Sequence, residues 1–256
     1  MTKDNDDDDD DNEKNCYYNN RICLNHIKIL DDSDFKYISE LCENQSGWNI
    51  AYNKDIIKVW TKSVPKSILH MIKAKAILSD VSASIVYDVL HDSQYRPKWD
   101  KYHVATIDIG LINPNNDICY YAIGGIPPLR TRDFVLQRSW LDIGNEKYIC
   151  SHSICHEKCP PVKGYIRGVV YLAAYHIRDM GKNGCQVTYI NHSDPKENNC
   201  PNWKPWIYPE QQVNLLRVKL SECEPQNYDT NKIVSSIDES DIICDNIDTN
   251  STSDED

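Results

Sequence analysis

The sequence has no long run of hydrophobic residues. None of its apolar stretches approaches the ~18 consecutive residues that a membrane-spanning helix needs, so we expect no such helix. The start is also unlike a secretory signal peptide, because residues 6–11 are all aspartate. Without that signal, the odd number of cysteines, 11 in total, indicates reduced thiols and a cytoplasmic protein.

Basic residues are scarce at both ends of the chain. The formal net charge of −11 comes from 28 Lys and Arg against 39 Asp and Glu, and residues 1–14 hold eight of the acids while residues 221–256 hold eleven. Segments with so much charge and so few apolar residues cannot offset the loss of chain entropy on folding. We therefore predict an acidic disordered N-terminus over 1–20, an ordered and mildly basic domain over 21–204, and an acidic disordered tail over 205–256.

Apolar periodicity within the domain predicts an α+β fold in which a long antiparallel meander curls around a helix. The predicted elements are a helix at 34–42 capped by Asp32 or Ser33, strands at 48–53, 56–62 and 69–78, a helix from 81 that stops near Arg96 before Pro97, and strands at 104–112, 118–123, 132–141, 147–156, 165–177 and 185–191. In strand 69–78, Lys73 and Lys75 alternate with apolar residues. This alternation predicts that one face of the sheet contacts water.

Nucleic-acid, metal and hydrolytic sites are weakly supported. Segment 95–102 alternates cations with aromatic residues, but the acidic ends and the lack of a basic stripe argue against a nucleic-acid partner. Five residues are spaced like zinc ligands: Cys150, His152, Cys155, His156 and Cys159. On a strand these residues point to both faces and do not converge, and no nucleophile elbow accompanies them. We expect no metal, no cofactor and no enzymatic reaction.

Several motifs occur in an order that is specific in combination. They are Tyr95-Arg96-x-Lys98-Trp99-Asp100, Cys119-Tyr120-Tyr121, Arg132-Asp133-Phe134-Val135-Leu136-x-Arg138-Ser139-Trp140, Pro160-Pro161-x-Lys163-Gly164-Tyr165-Ile166-Arg167, Gly184-Cys185-x-Val187-Thr188-Tyr189 and Asp194-Pro195. Over roughly 30–203 the chain resembles the START (steroidogenic acute regulatory protein-related lipid transfer) domain family, and most of all its phosphatidylcholine-transfer subgroup. The resemblance implies the helix-grip fold, a curved nine-stranded antiparallel sheet around a lipid tunnel.

The resemblance also implies a headgroup site. Position by position, Arg96 would bind the lipid phosphate beside Asp100, and Tyr121, Phe134 and Tyr171 would surround choline. A guanidinium fork fits phosphate, and aromatic faces suit a quaternary ammonium that has no hydrogen to donate. The implied ligand is phosphatidylcholine, with phosphatidylethanolamine as an alternative.

A loop over 124–131 resembles the family's loop at the tunnel mouth. Its apolar tip, which would touch the membrane as a gate, consists of Ile126, Pro127, Pro128 and Leu129. Arg130 and Arg132 would lie behind the tip and meet anionic headgroups.

The chain departs from the family after Trp203, where the usual C-terminal lid helix is absent or shortened. Residues 209–220 can form a short substitute helix; otherwise the tunnel stays open. The acidic tail carries candidate sites for an acidophilic Ser/Thr kinase at Ser235, Ser236, Ser251, Thr252 and Ser253. Phosphate there would add negative charge and weaken transient membrane contact.

These expectations favour a cytosolic protein that extracts and transfers phospholipid without a reaction. The alternative is a lipid-gated sensor or adaptor that binds phospholipid without efficient transfer because the lid is missing.

Overall fold

The computed structural model describes residues 16–17, 22–23, 26–54, 56–65, 67–124 and 130–196. Several predictions fall outside these residues: the gate tip at 126–129, the lid region with its helix at 209–220, the acidic tail and the kinase sites.

The described residues contain three α-helices, one short 3₁₀ helix and twelve strands. The helices are α1 (Asp32–Glu43), α2 (Ala83–His91) and α3 (Arg96–Trp99), and the 3₁₀ helix is Gly181–Asn183. The strands are β1 (Cys16–Tyr17), β2 (Ile22–Cys23), β3 (Asn49–Lys54), β4 (Ile57–Ser63), β5 (His70–Leu78), β6 (His103–Asn113), β7 (Asn116–Ile123), β8 (Arg132–Asp142), β9 (Glu146–Ser153), β10 (Ile166–Arg167), β11 (Val169–Asp179) and β12 (Cys185–Asp194).

One large sheet dominates the fold. Its order is β3-β4-β5-β12-β11-β9-β8-β7-β6, and every neighbouring pair is antiparallel. The two-residue strand β10 adds a parallel pairing to β8, and β1 pairs with β2 apart from this sheet. The predicted sequence of a helix, three strands, a helix and six strands is therefore confirmed, and the additions are β1, β2, β10, α3 and the 3₁₀ helix.

The sheet carries one helix on each face. Helix α1 packs in a cluster with Met71, Leu172 and Ile190, and we call this side the α1 face. Helix α2 packs on the opposite side with Ile177 and Val187, and we call it the α2 face. Because side chains alternate between faces along a strand, each strand supplies both cores.

The helix ends differ from the sequence prediction. Asp31, rather than Asp32 or Ser33, caps α1 in a capping box with Asp34. Helix α2 ends at His91 instead of near Arg96, and α3 begins at Arg96 with Pro97 in its first turn. Proline lacks an N–H that the first turn would leave unpaired, so it starts a new helix here rather than ending the old one.

The expectation that Lys73 faces water is wrong. Lys73 is 1% exposed because α1 covers this part of the sheet. Its Nζ donates to the carbonyl oxygens of Asn44 at 2.6 Å and Leu41 at 3.2 Å, and it lies 4.3 Å from the Trp48 ring centroid. Burial lowers the pKa of Lys73 to about 8. The long side chain joins the C-terminal end of α1 to the sheet.

In the described part of the chain, no helix has the length and apolar character needed to cross a membrane. Six cysteines of this part, among them Cys42, Cys119 and Cys185, are free thiols.

Candidate functional site

A cation lies against a pair of stacked aromatic rings on the α2 face. Helix α3 places the guanidinium carbon of Arg96 4.5 Å from the ring centroid of Tyr121 and 5.4 Å from that of Trp99. Tyr121 in β7 is the register partner of Phe134 in β8, and their rings stack with centroids 4.9 Å apart and an angle of 17°. The structure thus brings together three residues that the sequence assigned to one headgroup site.

Asp100 orients the guanidinium of Arg96. The Arg96 Nε donates to Oδ2 of Asp100 at 3.0 Å, one helical turn along the chain, while Oδ1 accepts from the backbone N–H of Tyr102. The Asp100 side chain is 8% exposed and that of Arg96 is 31% exposed. Among the described residues, the two Nη groups of Arg96 have no hydrogen-bond partner. Asp100 therefore fixes one edge of the fork and leaves the other edge available to an anion.

The environment keeps Arg96 charged and Tyr121 neutral. Burial by itself would lower the pKa of Arg96, but the Asp100 carboxylate and the nearby Tyr121 and Tyr175 raise it above its usual value. Burial raises the pKa of Tyr121 well above its usual value, although Arg96 acts in the opposite direction. The site therefore presents a permanent cation beside electrically neutral ring faces.

Gly168 makes room for Phe134. A Cβ atom at Gly168 would lie 2.4 Å from Cε1 and 2.8 Å from Cζ of the Phe134 ring, closer than real Cβ contacts. Sequence reasoning missed this role. The signal for it was an isolated glycine inside a strand pattern, which often marks a close approach of another group.

Tyr171 lies at an irregularity in β11. The β11–β12 register shifts between Val170 and Leu172, so Val170 packs with Phe134 while Leu172 packs in the cluster under α1. The Tyr171 ring lies 4.7 Å from the ring of His192. A cage of three rings that includes Tyr171 stays a prediction.

Tyr175 and Tyr189 are site residues that the sequence reasoning missed. They are register partners in β11 and β12, and their rings stack with centroids 4.6 Å apart. Burial raises the pKa of both hydroxyl groups, whereas the positive charge of Arg96 lowers it. The cross-strand pairing that joins them depends on the register, which the sequence does not give.

A buried ion pair supports the helix that precedes Arg96. Arg138 in β8 binds the Asp117 carboxylate through Nε at 2.8 Å and through Nη2, and its Nη1 donates to the carbonyl oxygen of His91 at 3.0 Å. This carbonyl belongs to the last turn of α2, where a cation is electrostatically favourable. The His91 ring also contacts Trp140 edge-on at 4.5 Å. The sheet thereby fixes the end of α2, from which the chain continues to α3.

A cavity of about 240 Å³ opens near the end of β4 and the start of β5. It is lined by Thr61, Ile68, Leu69, His70, Ile72, Asn191 and Ser193. Asn191 Nδ2 donates to the hydroxyl oxygen of Tyr189 at 2.7 Å, which links this cavity to the tyrosine pair. Its volume is below the roughly 300–1,000 Å³ of typical ligand pockets, so it would hold only part of a diacyl lipid.

The remaining predicted residues are placed as follows. Arg130, at the base of the gate loop, is exposed, but Arg132 is fully buried, so the expectation that Arg132 meets headgroups is wrong. His152 bonds to the His26 carbonyl oxygen, and His156 Nδ1 accepts from the Lys158 backbone N–H. In the residues that the structure places, no three Cys, His, Asp or Glu side chains gather as metal ligands would.

Comparison with known proteins agrees with this architecture. The START domain family matches residues 29–224. Human START domain-containing protein 10 is 33% identical over 249 residues, covering 84% of each chain. The crystal structure of human STARD10 superposes with a TM-score of 0.65 at 35% identity, over 77% of this chain and 79% of that one.

Two further relatives align less extensively. Mouse phosphatidylcholine transfer protein is 26% identical over 189 residues, 71% of this chain and 85% of its own length. Mouse acetyl-coenzyme A thioesterase is 27% identical over 151 residues, 58% of this chain and 27% of its own length. The predicted helix-grip fold is thus confirmed, and the chain belongs to the START domain family.

Proposed function

We propose that this protein binds phosphatidylcholine, with phosphatidylethanolamine as a second ligand, and carries it between membranes without a chemical reaction. The observation that carries the proposal is the Arg96 fork beside the stacked rings of Tyr121 and Phe134. The similarity to a phosphatidylcholine transfer protein supports the same ligand class.

The phosphate would bind the free edge of Arg96. Asp100 already occupies the Nε side at 3.0 Å, so a phosphate that approaches both Nη groups forms two charge-assisted hydrogen bonds without displacing it. Lysine cannot reproduce this geometry, because an ammonium group has no planar pair of donors.

The choline group would bind aromatic faces next to this phosphate. A quaternary ammonium has no hydrogen to donate, and each ring face contributes about 0.5–2 kcal/mol. Tyr121, Phe134, Tyr175 and Tyr189 supply such faces close to Arg96, and Tyr171 remains the further ring implied by the family resemblance. A primary ammonium would instead gain from hydroxyl acceptors, which only the tyrosines offer.

The acyl chains set the energetic requirement. A diacyl phospholipid has about thirty methylene groups, so leaving a bilayer for water costs on the order of 25 kcal/mol. A carrier must therefore shield the acyl chains from water on the α2 face of the sheet. The proposal includes transient contact of residues 126–129 with the membrane, a cytoplasmic location, and control of that contact by an acidophilic kinase acting on the acidic tail.

The test compares three variants of the full chain: Arg96→Ala, Arg96→Lys and the neighbouring control Lys98→Ala. Lys98 is exposed on the same short helix, so its loss removes one positive charge without touching the rings. We expect co-purified phospholipid, measured by mass spectrometry, to fall at least tenfold in both Arg96 variants and to stay unchanged in the control. An undiminished lipid load in Arg96→Ala would refute the site.

A second candidate is a phospholipid-dependent sensor or adaptor, because the sequence after Trp203 departs from the family's usual lid helix. Transfer of labelled phosphatidylcholine between donor and acceptor vesicles separates the two functions. A carrier moves many lipids per protein molecule, whereas a sensor retains a bound lipid and moves no more than its own load.

A further inference from the structure

Three polar side chains follow one another along the α2 face of β12. Val187 packs with α2, and because side chains alternate along a strand, Tyr189, Asn191 and Ser193 lie on the same face. Ser193 Oγ donates to Oδ1 of Asn191 at 2.7 Å, and Asn191 Nδ2 donates to the hydroxyl oxygen of Tyr189 at 2.7 Å. We call Tyr189, Asn191 and Ser193 the polar ladder. Its two hydrogen bonds fix the orientation of the Asn191 amide.

The polar ladder has two hydrogen-bond donors left over. Asn191 Nδ2 carries two hydrogens and uses one of them on Tyr189. The Tyr189 hydroxyl accepts this bond, so its own proton is still to be donated. Among the described residues, neither of these two hydrogens has an acceptor. The side chains are half-buried, so a ligand on the α2 face can reach both donors.

The neighbours of these donors are uncharged and mostly small. Tyr189 has Ala74 of β5 as its register partner. Asn191 lies between Ile72 of β5 and Ala173 of β11. The two alanine side chains leave the space above the donors open. A neutral acceptor suits this place better than an anion, because a charge that leaves water needs a paired countercharge.

The polar ladder lies between the cationic part of the site and an apolar space. At one end, Tyr189 stacks on Tyr175, and the positive charge of Arg96 acts on both hydroxyl groups. At the other end, Asn191 and Ser193 line the cavity of about 240 Å³, whose lining includes three aliphatic side chains. A diacyl phospholipid has the same order, with its phosphate first, then two ester carbonyl groups, then the acyl chains.

We propose that the polar ladder binds the ester carbonyl groups of the carried phospholipid and thereby selects ester-linked over ether-linked lipids. This inference rests on the proposed function and adds a second point of recognition, which does not depend on the headgroup. An alkyl ether has no carbonyl oxygen, so an ether lipid would cover both donors without pairing them. A site built to hydrogen-bond one group discriminates strongly against an analogue that lacks it.

The experiment offers the full chain equal amounts of two phosphatidylcholines in mixed vesicles. Their chains have the same length, but one lipid has two ester bonds and the other has two ether bonds. The lipids bound by the protein are measured by mass spectrometry after the vesicles are removed. Two neutral hydrogen bonds should favour the diester lipid about tenfold in the wild type. This comparison needs no substitution, so the folding of a variant cannot affect it.

Two variants each remove one of the donors, Tyr189→Phe and Asn191→Leu. Each should lower the preference for the diester lipid about threefold, and the double variant should abolish the preference. All of them should still bind the diether lipid, because Arg96 is unchanged. The matched control is Asn49→Leu, the same substitution at an exposed residue of β3 in the same cross-strand row as Asn191. The control should keep the wild-type preference.

Equal binding of the two lipids by the wild type would overturn the polar ladder as a carbonyl site and leave the proposed function intact. A wild-type preference that persists in both ladder variants would also overturn it, because the selection would then come from elsewhere. Loss of the preference in Asn49→Leu would do the same. Wild-type protein that binds neither lipid would refute the proposed function, and this inference with it.

Discussion

Substituting Gly168 by alanine tests how the aromatic part of the site is built. The added methyl group would lie 2.4 Å from Cε1 of Phe134, whereas carbon atoms in contact are about 3.5–4.0 Å apart. The ring must therefore move by roughly 1 Å. Phe134 is 5% exposed and stacks on Tyr121, so such a movement disturbs the face on which Arg96 lies.

The expected cost is that of overpacking a buried site, about 1–3 kcal/mol of unfolding free energy. For a domain of this size, each kcal/mol lowers Tm by about 2–4 °C. If the stack serves choline, retention of phosphatidylcholine should fall about three- to tenfold, since each displaced ring face is worth about 0.5–2 kcal/mol. Retention of phosphatidylethanolamine should fall less, because Arg96 still holds its phosphate.

The assay is urea unfolding together with mass spectrometry of lipid bound after incubation with equal amounts of the two phospholipids. The double variant Gly168→Ala, Phe134→Leu removes the clash and should recover most of the stability without recovering the preference for choline. Gly168→Ala with wild-type stability and an unchanged ratio of the two lipids would refute the steric reasoning. Recovery of the choline preference in the double variant would refute the role of the Phe134 ring.

Two further predictions concern buried basic groups. Burial lowers the pKa of His152 to about 4, below its unfolded value near 6.5. The neutral form therefore stabilises the fold above pH ~6.5, and up to about 3 kcal/mol of unfolding free energy is lost as the pH falls toward 4. Urea unfolding of His152→Gln should show a flatter pH dependence than the wild type, and an equally steep one would contradict this. Lys73→Met leaves the carbonyl oxygens of Leu41 and Asn44 without their donor and should lower the unfolding free energy by about 1–3 kcal/mol. The exposed control Lys58→Met should change the unfolding free energy by less than about 0.5 kcal/mol. Equal effects of the two substitutions would refute the bridging role of Lys73.

The order of elements could be predicted because it is encoded locally. Strand 69–78 alternates, α2 has an apolar stripe, and turn residues separate the later strands, so each element follows from its own residues. Arg96 and Asp100 were paired through the family resemblance, because the helix was predicted to stop near Arg96; in the structure the new helix α3 sets them one turn apart.

The burial and surroundings of several side chains could not be predicted, because they depend on which elements pack together. Lys73 looks like a surface residue until α1 is placed over it, because alternation assigns a face but not its cover. Arg132 likewise follows the exposed Arg130 by two residues but is fully buried. Tyr171, which the family resemblance assigns by position, lies at a shift in strand register that the sequence does not show, and its ring is 4.7 Å from that of His192.

The irregularity at Tyr171 also affects how this chain can change by insertion or deletion. One extra residue in β11 separates Val170 from the regular pairing that begins at Leu172. Val170 therefore packs against Phe134, whereas in an uninterrupted strand its side chain would lie on the same face as that of Leu172. Deleting one residue there would make β11 regular and rotate the segment containing Gly168, bringing a different residue against the ring. The shape of the aromatic pocket is thus set by the number of backbone residues in β11 as much as by which side chains it carries.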